Sequence, residues 1–173
     1  MATVPFLTKS YFIGDIFIPN LSQIIPSKPN NSNVAELTDF IAIYEPKYLK
    51  LLLGEDLYDL FYAGIGATSP DAKWTALKTK LYPDYYKTPA AYYVYFFLRR
   101  FQSTVTTLNG EVQPSFENTT PVNQNFKMIY AWNRMVELST EIQEWLEESA
   151  QVVSYPDFAI DEDILTCINQ FGI

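Results

Sequence analysis

From Met128 to Trp145, six apolar side chains recur in alternating steps of three and four: Met128, Ala131, Met135, Leu138, Ile142 and Trp145. That spacing aligns them on one face of an α-helix, which is stable only when other elements cover the stripe. With Thr120-Pro121 as its start signal the helix should reach about Ala150, roughly 45 Å at about 1.5 Å per residue. The fold class that follows is mainly α: a helical bundle with one long C-terminal helix, a small β-hairpin, and extended N- and C-terminal arms.

Shorter helices are punctuated by their own signals. Asn33 with Glu36 three residues on forms a variant capping box, and Leu37, Phe40, Ile41 and Tyr44 supply the apolar stripe of a first helix. Pro46 lacks a backbone donor and disfavours helical geometry at Glu45, so a kink or restart is expected there, with Gly54 as the C-terminal cap. Glu55-Asp56 places acids at the favourable end of a short helix that runs to about Ala63, with Gly64 and Gly66 as its stop. Ser69-Pro70-Asp71 starts another through about Leu81, and Thr88-Pro89 starts an aromatic helix through about 103. Asn109-Gly110 between Thr-rich and Val-containing segments predicts a hairpin near 104–116.

The ends differ from the body. Tyr11-Phe-Ile-Gly-Asp-Ile-Phe-Ile18 mixes aromatic and β-branched residues and reads as an extended strand. The polar Pro/Asn-rich stretch Pro26–Asn33 would tether it loosely. Beyond Pro156, a short amphipathic piece from Asp161 to about Asn169 leads to the apolar ending Gln170-Phe-Gly-Ile173, a kind of terminus that usually docks on something. The expected organisation is an N-terminal arm and linker (1–32), a helical body (33–155) and a C-terminal docking tail (156–173).

Composition limits the chemistry. The 173 residues contain no histidine, which removes the commonest general base and zinc ligand and every Ser-His-Asp or Cys-His arrangement. The one cysteine, Cys167, has no partner for an internal disulfide or redox pair, and with no signal-peptide pattern at the start an intracellular site of synthesis is expected. The densest apolar run, Ala90–Leu98, is far short of the roughly 20 residues a membrane span needs. No glycine loop of the kind that cradles phosphates is present. The reading is therefore of a protein without enzymatic activity, cofactor or metal.

Charge is placed unevenly. The net charge of −8 divides into +1 over residues 1–134 (12 basic, 11 acidic) and −9 over residues 135–173, where nine acids stand without a lysine or arginine. Sequence-specific nucleic-acid binding needs basic clusters and is disfavoured. Acidic pairs such as Glu144 with Glu148, or Asp161 with Asp163, could in principle serve acid–base or cation chemistry, but a solvated helix face explains them better. The aromatic stretch 82–101 ends in Arg99-Arg100 and could stack on single-stranded bases, but helical spacing favours core, leaving Arg99 and Arg100 as interface cations. Glu137 with Glu141 and Glu144 with Glu148 are like-charge pairs at i, i+4, the later ones near the negative end of the helix dipole. Local repulsion of that kind suggests a partner surface or an aqueous channel.

Three segments carry a family resemblance: Ile41-Ala-Ile-Tyr-Glu-Pro-Lys-Tyr-Leu-Lys-Leu-Leu-Leu-Gly-Glu-Asp-Leu-Tyr-Asp-Leu-Phe61, the aromatic helix with Arg99-Arg100 and the Thr-rich Asn-Gly turn, and Lys127-Met-Ile-Tyr-Ala-Trp-Asn-Arg-Met-Val-Glu137. Together with the ending Ile168-Asn-Gln-Phe-Gly-Ile173, over roughly residues 10–173, the chain resembles head-to-tail connector proteins (neck adaptor or ring proteins) of tailed bacteriophages, particularly those of crAss-like and related Bacteroidetes phages. The resemblance implies a virion structural subunit in a closed, twelvefold homo-oligomeric ring. It would sit in the neck between capsid and tail, with the portal above and further neck or tail proteins below, and meet DNA only in transit. During assembly it would be found in the host cytoplasm.

In such a ring the expected interface residues are Tyr11, Phe12, Ile13, Phe17 and Ile18 on one arm, Arg99 and Arg100 on the body, and Phe158, Ile168, Phe171 and Ile173 on the other arm. Glu137, Glu141, Glu144 and Glu148 would face the channel, where surplus acid repels phosphate and lets DNA slide. The alternatives are a small cytosolic acidic binding module that regulates a partner protein and, more distantly, a metal-dependent hydrolase using the terminal acids.

Overall fold

The computed structural model describes residues 4–18, 32–102, 105–107, 110–112 and 124–169. The class is mainly α, as the periodicity predicts. Among the described residues the helices are α1 (Ser32–Leu53), α2 (Glu55–Ile65), α3 (Ala72–Leu81), α4 (Pro89–Gln102), α5 (Gln124–Glu147) and α6 (Ser149–Ser154). Of the hairpin expected near 104–116, only a three-residue pairing is described, β1 (Val105–Thr107) antiparallel to β2 (Gly110–Val112). A hairpin over the whole span is not supported, and the rest of it lies outside the described residues.

The aromatic helix α4 is the centre of the fold, with α1 packed on one side and α5 on the other. Ala90, Ala91, Tyr92, Tyr93, Val94, Tyr95, Phe96 and Leu98 are all buried, so the aromatic residues serve as core on nearly every side of the helix. The α5 stripe turns inward as its spacing requires: Ala131, Met135, Leu138 and Ile142 are buried, while Met128 and Trp145 are half-buried. Tyr48 of α1 reaches across the core to Ser139 of α5 in a 2.8 Å hydrogen bond, and Ser139 donates onward to the Met135 carbonyl at 2.7 Å, so both buried hydroxyls are satisfied.

Pro46 neither kinks nor restarts the helix: α1 is continuous through it. A mid-helix proline costs about 3 kcal/mol. Tyr48, Leu49, Leu52 and Leu53 just beyond it are fully buried, and each such side chain contributes about 1.5–3 kcal/mol when removed from water. Tertiary burial therefore outweighs the local preference. α1 already begins at Ser32, so Asn33, expected as its cap, lies within the helix, and Glu36 accepts from Gln102 Nε2 at 2.8 Å.

Several boundaries are corrected. α2 continues to Ile65 rather than Ala63. The cap of α3 is Asp71, which accepts from the Lys73 amide at 3.2 Å, and not Ser69. The Thr120-Pro121 start of the long helix lies outside the described residues. That helix stops at Glu147 rather than Ala150, because Glu148 adopts a non-helical ψ of 141° and begins α6. The redirected chain delivers Tyr155 between Trp74 and Trp145, at ring separations of 6.2 and 5.8 Å, with its hydroxyl donating to the Lys73 carbonyl.

Both ends fold back on the body. The predicted strand at 11–18 is instead two short 3-10 turns, Lys9–Tyr11 and Gly14–Ile16, and Leu7, Phe12, Ile16 and Ile18 are buried in the main core. The C-terminal segment crosses the end of α1, where the amides of Ala159 and Asp161 donate to the carbonyls of Leu53 and Leu51 at 3.1 and 2.8 Å. Those carbonyls belong to the last turn of a helix and have no partner within it, so the tail serves as a cap. Gly54 makes the crossing possible. Its φ of +83° suits glycine, and a Cβ there would sit 3.0 Å from the Ala159 carbonyl oxygen. Only a 3-10 turn, Glu162–Leu165, replaces the helical piece expected from Asp161 to Asn169. No helix among the described residues is long and apolar enough to cross a membrane.

Candidate interaction surfaces

The first surface is acidic. On α5, Glu137, Glu141 and Glu144 are exposed along one edge, and Glu148 continues the stripe just past the helix end. Of the two repulsive pairs expected from spacing, the first is offset by Arg134, which pairs with Glu137 at 2.5 Å. The acidity is also less isolated than the sequence suggests. Glu141 borders an open groove of about 570 Å³ between α3 and α5, shared with Lys80, Lys87 and Trp145, where Lys80 lies 5.9 Å from the Trp145 ring centre.

A second surface is aromatic. Phe101, Phe40, Tyr44 and Phe97 form a run of neighbouring rings across α1 and α4, with centroids 5.5, 5.2 and 4.5 Å apart. Phe101 is 60% exposed and Ile43, one turn of α1 before Lys47, is 61% exposed. Tyr44, Phe97, Arg100 and Phe101 enclose a shallow hollow of about 300 Å³, and Lys47 lies over Phe97 at 5.8 Å. Aromatic rings flanked by exposed cations are the residue types enriched in protein interfaces.

The expected interface residues divide between these surfaces and the chain's own interior. Phe12 and Ile18 are buried at 1% and 2% exposure, which removes them from any surface the folded chain presents. Tyr11 and Ile13 are half-buried, and Phe17 is exposed. Arg99 stacks on Tyr95 at 5.2 Å and holds Gln102 Oε1 at 3.1 Å, with a longer bond to the Phe17 carbonyl at 3.4 Å. It therefore ties elements within the chain, whereas Arg100 is at the surface. Phe158 is half-buried against the core. Ile168 is gripped through its backbone: Asn133 Nδ2 donates to its carbonyl at 3.0 Å and Asn133 Oδ1 accepts its amide at 2.9 Å. Trp132 Nε1 adds a bond to the Thr166 carbonyl at 2.8 Å. Phe171 and Ile173 lie outside the described residues.

One residue that the sequence reading passed over organises the N-terminal segment. Glu45 is fully buried, and its Oε1 accepts from the amides of Phe6 and Leu7 at 3.0 and 3.2 Å and from the Tyr82 hydroxyl at 2.5 Å. Burial raises its pKa, an effect that the three donors oppose, and Tyr82 in turn is held well above its ordinary value by burial and the adjacent carboxylate. A signal was present. Leu37, Ile41, Glu45, Tyr48 and Leu52 follow steps of four, four, three and four, so Glu45 occupies a core position of the α1 stripe.

Among the described residues there is no cluster of three or more Asp, Glu, Cys or His side chains that could hold a metal ion. Comparison with known protein families, curated proteins and solved structures finds no match to the chain.

Proposed function

We propose that this chain is a structural adaptor subunit that closes into a ring below the portal of a tailed bacteriophage and joins capsid to tail, leaving a channel for DNA. The observation that carries the reading is the pairing of two unlike exposed surfaces on one rigid body: an acidic stripe along α5 and a run of rings with cations on α1 and α4. In such a ring the aromatic run is suited to meeting a neighbouring subunit and the acidic stripe to lining the channel. The sequence resemblance points the same way, including its twelvefold expectation. Surplus acid facing the channel would repel phosphate over a screening length of about 8 Å at physiological salt and let DNA slide.

A monomeric acidic module acting through α5 alone is the competing reading, and the exposed aromatic run favours the ring because such a module has no use for a second face. The two separate by mass under native conditions, measured for the protein alone and mixed with its portal. Closed oligomers with portal present are expected; a chain that stays monomeric in that mixture sinks the adaptor reading.

A further inference from the structure

The N-terminal segment behaves as a plug. Its side chains Leu7, Phe12, Ile16 and Ile18 fill sockets in the core, and side chains of the body anchor its polar groups: Glu45 on the amides of Phe6 and Leu7, Tyr130 donating to Asp15 at 2.9 Å, and Arg99 on the Phe17 carbonyl. Nothing in these contacts depends on which copy of the chain supplies the segment.

The linker is longer than the connection requires. Phe17 bonds Arg99 at 3.4 Å, Arg99 bonds Gln102 at 3.1 Å, and Gln102 bonds Glu36 in α1 at 2.8 Å. Through two planar groups of ordinary size, the Phe17 carbonyl and the Glu36 carboxylate lie within roughly 14 Å of each other, and the Glu36 side chain and one helical turn lead back to Ser32, so the gap is within roughly 25 Å. Residues 19–31 offer thirteen positions to cover that gap, and a chain of this length spans up to about 45 Å when extended. The surplus reach is about 20 Å, more than the separation of two packed helices.

We infer that residues 4–18 are exchanged between neighbouring copies in the assembled ring, each plug seating on the Glu45, Tyr130 and Arg99 anchors of the next subunit. This rests on the ring reading above. The contacts are the same in the closed and exchanged forms, so exchange costs little once a neighbour is held in place. In the free chain the short tether keeps the segment at high effective concentration and favours self-closure. Removing a plug without replacing it would expose its apolar sockets, so each subunit that gives up its plug must receive another, and head-to-tail exchange around a closed ring fills every socket.

The test crosslinks plug to socket. In a Cys167→Ser background, Asp15→Cys and Tyr130→Cys are joined with a bismaleimide long enough to span the replaced contact, and the products are separated under denaturing conditions. Ring fractions should give a ladder of covalent multimers, and the free chain a single species of 19.9 kDa. A companion variant lacking residues 21–26 retains a tether of about 25 Å, enough for self-closure, and should fold with unchanged helix content while failing to close rings. Ring fractions that give only the intrachain product overturn the exchange and leave the adaptor reading standing, as does a shortened chain that forms the same rings. Interchain ladders in a protein that never forms rings support exchange and sink the adaptor reading. Intrachain product with no ring under any condition overturns both.

Discussion

At the scale of single residues, Glu45 shows how a buried carboxylate can hold a distant part of the chain. Its oxygens accept from two backbone amides and a phenol, and removing them strands buried donors that each cost about 1–3 kcal/mol. Glu45→Ala should therefore lower stability by about 3 kcal/mol or more, read from denaturant midpoints. Glu45→Gln keeps an acceptor oxygen for the same donors and should stay within about 1 kcal/mol of the parent. The pH dependence has a definite sign. Because the folded pKa lies above the ordinary carboxyl value of 4.5, the native state holds a proton that the unfolded chain releases. This contribution to stability is present below about pH 4.5 and is lost as pH rises through the folded pKa, so the difference between parent and Glu45→Gln should favour the parent at the acid end. A difference that is flat with pH would show that the carboxyl titrates alike in both states.

At the scale of elements, the termini are structural parts of the helices they touch. The tail caps α1 through Ala159 and Asp161, buries Ile164 at 3% exposure, and is clasped by Trp132 and Asn133 of α5. Truncation after Tyr155 removes one fully buried apolar side chain, several half-buried ones and two helix-end hydrogen bonds, together about 3–6 kcal/mol. For a chain of this size that corresponds to a fall of roughly 10 °C in Tm. An unchanged melting temperature would mean the tail is a detachable arm, as the sequence suggested. The long helix illustrates the converse. Its start-to-finish stripe was readable from spacing, but its end at Glu147 was not, because the turn that follows depends on Trp74 and Trp145 receiving Tyr155.

For the whole molecule, the distribution of charge matters more than its total. Replacing Glu141, Glu144 and Glu148 together with Gln alters exposed side chains and removes like-charge contacts of only about 0.2–0.5 kcal/mol each, so the melting temperature should shift by no more than about 2 °C. Assembled particles carrying the same change should release DNA more slowly at low salt, with the difference vanishing at high salt; unaltered release at low salt would remove the channel role. What the sequence determined by itself was whatever depends on local spacing and composition: the helical class, the inward faces of α1, α4 and α5, the Gly54 boundary, and the want of histidine chemistry. Tertiary structure decided what depends on residues far apart in the chain. Pro46 stays helical because its neighbours are buried, Glu45 is a clasp because Phe6 and Tyr82 meet it, and both termini cover the body because unpaired backbone groups and apolar sockets there are costly to leave open. Periodicity identifies which face of a helix must be covered, and only the assembled core determines by what.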